Sequence, residues 1–409
     1  IEVNLAGQEL MSTGYAIGKA DLLIQGGEPD AIRHGDTLLT DLYEGEQFEY
    51  ILSNPPFGSD WSVQQSAVKE QAKVPGSRFS HGLPTKSDGQ MLFLAHVAAK
   101  LMPEGENGSG GRGAVVSNGS PLFTGSPGSG PDQIRAWLLE NDLVDAIIQL
   151  PTNMFYGTGI STYVWILDTN KEDHRKGFVQ LIDASECWSV PDKGLGDKRR
   201  EMREADRNKV LQAYSDFADS EMSKVLTPDD LGFRDVKVTK QARLGVHVTD
   251  EAIAEVLEHK QAVAGHANVV RAMAHTSYND LPDALKAAAK EHGVKMPATL
   301  IDAISKAIAV PDADAEPAVD RKGNPVLDPS FTMTERVPLT EDIDEHMQRE
   351  VIPFAPEVTW DVDKAVTGYE IPFKRVFYKP EPVRSLAEID TDVAEVMGRL
   401  MEKFGQVRK

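Results

Sequence analysis

The chain has 409 residues and a single cysteine, Cys187, so no internal disulfide can form. That usage fits a reducing cytoplasm. No apolar run is long enough to cross a bilayer, and no secretory leader is visible, so a soluble protein is expected. Histidines number 10, but His259, His266, His275 and His292 lack compact ligand spacing, and no structural zinc is expected. Positive charge is scarce: 43 Lys and Arg against 64 Asp and Glu leave a formal net charge of −21. Such a chain is repelled by polyanions as a whole, so contact with nucleic acid needs a local basic groove or a partner that brings the affinity. The length suits two or three domains.

What is present centres on Asn54-Pro55-Pro56-Phe57. The tetrapeptide follows Phe48-Glu49-Tyr50-Ile51-Leu52-Ser53, a run of the right length for a buried strand of a parallel sheet. Two prolines cannot continue a ladder, so the strand stops at Asn54 and presents its amide at the carboxyl edge, where open α/β sheets bind ligands. An amide oxygen, a fixed carbonyl and an aromatic ring can hold a planar amino group by both hydrogens and stack on its face. Asn-Pro-Pro-Phe at a strand end resembles the catalytic motif of amino-group methyltransferases that use S-adenosylmethionine, chiefly those acting on adenine in DNA. The resemblance implies that Asn54, Pro55, Pro56 and Phe57 are catalytic, with Phe57 stacking on the target base.

Upstream, residues 2–9 read as a short strand ending in Glu9. A helix follows over Ser12–Ile24, with Tyr15, Ile17, Ala20, Leu22, Leu23 and Ile24 on its apolar side. A second strand over 31–36 ends in Asp36. Three successive strand ends then carry Glu9, Asp36 and Asn54, on one sheet edge if the strands are parallel. In the methyltransferases this resembles, Glu9 would take the cofactor ribose, while Asp36, Thr37 and Leu38 would frame its adenine beside Asn54. Such enzymes carry a glycine-rich loop after their first strand, and none precedes Glu2. The sequence therefore resembles a piece lacking that strand, expected to bind the cofactor poorly by itself.

Downstream, residues 58–88 form a polar stretch too long for an ordinary connection. It suits a functional or mobile loop whose Lys69, Lys73, Arg78, His81 and Lys86 meet phosphates, and equally a disordered surface loop. A largely apolar helix over 90–101 follows, then a glycine-rich turn (105–113), a strand (113–117), a helix (134–140) and a strand (143–150). The apolar strand at 162–167 returns so soon that the two should be antiparallel neighbours. Phe155 lies in their connection, and the resemblance implies that it stacks on the extruded adenine.

Residues 145–167 are similar to the modification (M) subunit of type I restriction-modification systems, as are Lys198-Arg199-Arg200 with the helix ending near Phe217. Leu231-Gly232-Phe233 through Lys237-Val238-Thr239 and the block Val366-Thr367-Gly368-Tyr369-Glu370-Ile371-Pro372-Phe373-Lys374-Arg375 match too, with Phe377-Tyr378, Glu381-Pro382 and Arg384-Ser385-Leu386 beyond. The resemblance implies an α/β methyltransferase fold, a mostly parallel sheet with an antiparallel terminal hairpin and its first strand missing, plus a mainly helical C-terminal region. Expected divisions are a catalytic domain (1–170), its extension (171–250), a helical insertion and linker (251–324) and a C-terminal region (325–409). Leu386, Ile389, Val393, Val396, Leu400 and Phe404 recur at spacings of three and four, a heptad-like stripe on the last helix. By resemblance that helix meets a specificity (S) subunit, in a complex with a second M subunit, a restriction (R) subunit and duplex DNA. The alternatives are a methyltransferase of protein glutamine amide or RNA guanine amino groups, and a non-catalytic assembly module.

Overall fold

The computed structural model describes residues 3–105, 109–379 and 385–407. Glu2, part of the 105–113 turn, and Glu381, Pro382 and Arg384 lie outside the described residues. No helix among those described is long and apolar enough to cross a membrane.

The chain opens with β1 (Gly7–Glu9), α1 (Ser12–Ile24) and β2 (Ile32–His34), then β3 (Tyr50–Ser53), α2 (Gln65–Ala72), α3 (Gln90–Lys100) and β4 (Arg112–Ser117). Next come α4 (Ser120–Phe123), α5 (Gly130–Glu140), β5 (Val144–Gln149), β6 (Tyr163–Asp168), β7 (Val179–Asp183), α6 (Glu204–Asp216) and β8 (Ser223–Leu226). A six-stranded sheet runs in the order β3-β4-β6-β5-β7-β8. β3 pairs in parallel with β4 and β5 with β7, while β6 and β8 run against their neighbours. The expected antiparallel β5–β6 pair is present. It does not end the sheet, however: β6 inserts between β4 and β5, and β7 and β8 extend the far side.

Residues that alternate along a strand feed opposite faces. Ile147 and Leu181 join the core beneath α3 and α5, with Leu92, Leu94, Ile134 and Leu138. Their neighbours Ile148 and Ile182 pack instead with Val210 and Tyr214 of α6. One carboxylate, Asp145, is buried within β5. It is tolerated because Arg175 Nε donates at 2.6 Å, Arg112 Nη2 at 3.0 Å, and the Tyr214 hydroxyl also donates to it. Burial first, and then that bond to Asp145, push the Tyr214 phenol up to about 12.

The three strand ends do not share one edge. β1 and β2 form a separate parallel pair, Glu9 opposite His34, with no ladder to β3 among the described residues. The outer side chains of β3 are open, Tyr50 at 79% and Leu52 at 85% exposure. Nor does α1 bury the apolar side its sequence suggests: Ile17, Leu23 and Ile24 are exposed.

Beyond β8, β9 (Gly232–Lys240) is the hub of a second sheet. β12 (Met333–Pro338), β13 (Val358–Trp360) and β14 (Val366–Tyr369) each pair antiparallel with it. Between β9 and β12, β10 (Leu244–Val246) and β11 (Ala309–Pro311) pair at the foot of a helical unit with its own core, including Ile253, Val270, Leu285 and Ile304. The stretch 311–324 is not a free linker. It returns along residues 241–243 through the Arg243↔Pro317 bridge and a bond from Ala318 N to Ala242 O, and Ala318 is fully buried.

Candidate active site

Asn54 lies just past β3, exposed, with Pro55 buried and Phe57 half-buried behind it. Among the described residues the Asn54 amide forms no hydrogen bond, so both of its polar atoms are free for a ligand. The left-handed Gly58 (φ +60) lets the chain turn directly after the ring.

Glu9 is occupied locally, its Oε1 accepting from Met11 N at 2.6 Å at the start of α1. Asp36 binds its own loop, Oδ1 accepting from Leu38 N at 2.9 Å, and reaches the segment after the tetrapeptide through Gln64 Nε2, 2.7 Å from Oδ2. Side chain rather than ladder therefore ties the Asp36 loop to the Asn54 segment. The Gln64 oxygen is buried and has no partner. An orphaned acceptor beside Asp36 is what an adenine amino group would satisfy, so these residues fit the cofactor's adenine.

Residues 58–88 are an ordered part of the fold rather than a disordered surface loop. Trp61, Val68 and Phe79 are buried in the main core, and α2 forms within the stretch. Two of the five cations expected to meet phosphates are used internally. Arg78 is buried, donating from Nη1 to Thr37 O at 2.7 Å and to His96 Nδ1 at 2.9 Å, with Nη2 near Leu38 O. His81 stacks on Trp137 at 3.9 Å.

Since Arg78 is always a donor, His96 must accept as a neutral ring. Burial, and then the neighbouring guanidinium, lower its pKa from 6.5 to about 4. Between those values the unfolded chain binds more protons, so stability is full above pH 6.5 and falls as pH drops toward 4. The expected loss is about 3 kcal/mol. His96→Gln keeps an acceptor but cannot titrate. Denaturant midpoints measured from pH 7 to 4 should show a shallower decline for this variant; parallel curves would contradict the assignment.

The other half of the site comes from strand polarity. β3, β4, β5 and β7 share a direction, so Asn54, Asn118 and the connection from Leu150 to Thr162 meet at one carboxyl edge. Phe155 is half-buried in that connection, two residues beyond Asn153, whose backbone is left-handed (φ +55). Sequence reasoning missed a buried lattice here. Gln90 takes Asn118 N on its Oε1 at 2.9 Å and gives Nε2 to Asp88 at 2.8 Å, while Trp165 Nε1 donates to Ser117 Oγ at 3.1 Å. A glutamine in the first turn of an otherwise apolar helix was the available signal.

The block 366–375 also arrives at this edge. Phe373 lies 5.1 Å from the Tyr163 ring, and Tyr369, Ile371 and Phe373 belong to the main core. Arg135 donates Nε to Tyr369 O at 2.5 Å, Nη1 to Pro121 O at 2.9 Å and to Thr124 O at 3.2 Å, and Nη2 to Asp132 at 3.3 Å. Asp132 in turn accepts from Tyr369 N at 2.9 Å.

Residues 1–251 match the sequence profile described as N-6 DNA Methylase. The MjaIX type I restriction enzyme methylase subunit of Methanocaldococcus jannaschii is 25% identical over 262 residues, 62% of this chain and 44% of that one. The EcoKI methylase subunit of Escherichia coli is 35% identical over 134 residues, 33% of this chain and 21% of that one. A type I restriction-modification methyltransferase subunit structure from Streptococcus thermophilus aligns with 30% identity and a TM-score of 0.46, covering 54% of this chain and 44% of that one. The chain thus spans less than half the length of the curated relatives it matches. With a profile match over more than half its residues, the chain belongs to the N-6 DNA methylase family.

Proposed function

We propose that this chain is the catalytic part of a cytoplasmic DNA adenine methyltransferase that moves a methyl group from S-adenosylmethionine to the adenine N6 amine within a type I restriction-modification complex. The observation that carries this reading is the unpartnered, exposed Asn54 amide, held at the carboxyl edge between a buried proline and a half-buried phenylalanine. Family membership narrows the amine to adenine in DNA rather than a glutamine amide or an RNA guanine.

The exocyclic nitrogen of adenine is a poor nucleophile because its lone pair is delocalised into the ring. The Asn54 side-chain oxygen and the Pro55 carbonyl accept its two hydrogens, which favours a pyramidal nitrogen whose lone pair points out of the ring plane. The cofactor supplies an electrophilic sulfonium methyl. Asp36, Thr37, Leu38 and the orphaned Gln64 oxygen would hold its adenine, and Glu9 would take its ribose. Positioning governs the displacement, and no strong general base is needed, since the nitrogen sheds its proton once cationic. Extruding the base costs a few kcal/mol. Stacking on Phe57 and Phe155 offsets this at roughly 1–3 kcal/mol per aromatic contact.

The net charge of −21 leaves most of the DNA affinity to partners. The helix Leu386–Val407 presents Ile389, Val393, Val396, Leu400 and Phe404 to solvent, all at least 41% exposed, as a stripe suited to helices of a specificity subunit. A second M subunit and a restriction subunit complete the complex. Reconstitution with a specificity subunit and cofactor labelled on the methyl group tests the reading. Label should appear in N6-methyladenine of duplex DNA; label in protein or RNA, or none at all, would overturn it.

A further inference from the structure

The connection carrying Phe155 does not stand alone. Asn153, two residues before the ring, receives Arg199 N at 2.8 Å and Arg200 N at 3.1 Å on its carbonyl, and gives its Nδ2 to Asp197 O at 3.3 Å. Arg200 Nη1 donates to Thr152 Oγ1 at 3.0 Å, and a Cβ on Gly196 would stand 3.3 Å from the Tyr156 ring. Residues 196–200 are thus tied to residues 152–156 at several points.

The segment 193–200 concentrates positive charge on an acidic protein. Arg203 engages both Asp192 (3.1 Å) and Glu201 (2.7 Å), two of the three carboxylates within residues 192–201. Lys193, Lys198, Arg199 and Arg200 have no carboxylate partner among the described residues, against Asp197 alone. Lys193 and Arg199 are exposed, and Lys198 is half-exposed. Arg200 lies 4.1 Å over the Trp188 ring, and the buried Trp188 Nε1 is a donor without an acceptor. Cations and a spare N–H clamped beside the stacking ring call for an anion that accompanies a base.

We propose that the Lys193–Arg200 loop binds the DNA backbone phosphates flanking the extruded adenine, so that two tied segments hold both the base, through Phe155, and its strand. This rests on the DNA-adenine reading above. It also gives the acidic chain a local grip independent of the affinity its partners bring.

The test uses the complete enzyme, with the subunits it needs for methylation, and the double variant Lys198→Gln/Arg199→Gln. Arg200 is left in place because it binds Thr152. The parent's DNA dissociation constant is measured against salt from 50 to 200 mM. Loss of two phosphate contacts should flatten the log–log slope by about two and weaken binding roughly 10- to 60-fold near 0.1 M salt. An unchanged slope with an unchanged melting temperature, in an enzyme whose parent methylates adenine, would overturn the phosphate site alone. A parent that neither binds DNA nor methylates adenine would instead overturn the function on which it rests.

Discussion

Asn54→Ala in the complete enzyme should lower methyl transfer at saturating DNA by at least about 10²-fold, while DNA affinity stays within a few-fold. The split follows from where the amide sits. On the proposed reading, affinity comes from phosphate contacts and partners rather than from the strand end itself, whereas Asn54 would meet only the amine of a base already out of the stack. Without its oxygen, one N–H of the amine would lose its acceptor, and the nitrogen would no longer be pyramidalised toward the methyl donor. Because none of the described residues bonds to the Asn54 amide, truncation leaves none of their groups unsatisfied. The folded state should therefore survive unchanged, which separates a chemical defect from a structural one. Single-turnover transfer of labelled methyl alongside equilibrium DNA binding reads both quantities; retained turnover would refute the assignment.

Arg135→Leu should destabilise the protein by about 3–5 kcal/mol. The guanidinium is 1% exposed and serves Tyr369 O, Pro121 O, Thr124 O and Asp132 together. Removing it leaves a buried carboxylate without its cation and takes a donor from three carbonyls. Arg135→Lys should recover little, since one ammonium cannot reproduce a planar fork spread over four acceptors. The double variant Asp132→Leu/Arg135→Leu should cost less than the two single losses combined, because no charge then remains buried. Denaturant unfolding of these variants, with Asp132→Leu alone as the fourth, checks this, and a loss under about 1 kcal/mol for Arg135→Leu would contradict the role.

Local patterns were legible where periodicity and punctuation agree. The helix at Ser12–Ile24 has the expected ends, and β5 and β6 pair as their short connection demands. The tetrapeptide's place after a strand was equally readable, because two prolines leave few options. Long-range partnerships were not. Arg78 looks like a surface cation since its acceptors are carbonyls of residues 37 and 38, which leave no mark in a charge pattern. Polar composition hid the core role of residues 58–88, whose Trp61, Val68 and Phe79 are too widely spaced to suggest one element. The separate β1–β2 pair was invisible for another reason: the order of strand ends in sequence does not say which strands share a ladder.

The bond from Arg135 to Tyr369 joins residues 234 apart in sequence. A chain emerging from the ribosome, N-terminus first, makes its six-stranded sheet and helical unit long before it makes Ile371 and Phe373. Until then Asp132 and Arg135 lack their main-chain partners on Tyr369, and the core beneath α5 lacks its last side chains. The nascent sheet is thus an aggregation-prone intermediate that only late synthesis completes. The same reasoning sets where the protein can be cut. Stopping at residue 251, where the family match ends, removes β14 and opens that core. Removing the helical unit between β10 and β11 and rejoining its paired foot keeps Asp132, Arg135 and Tyr369.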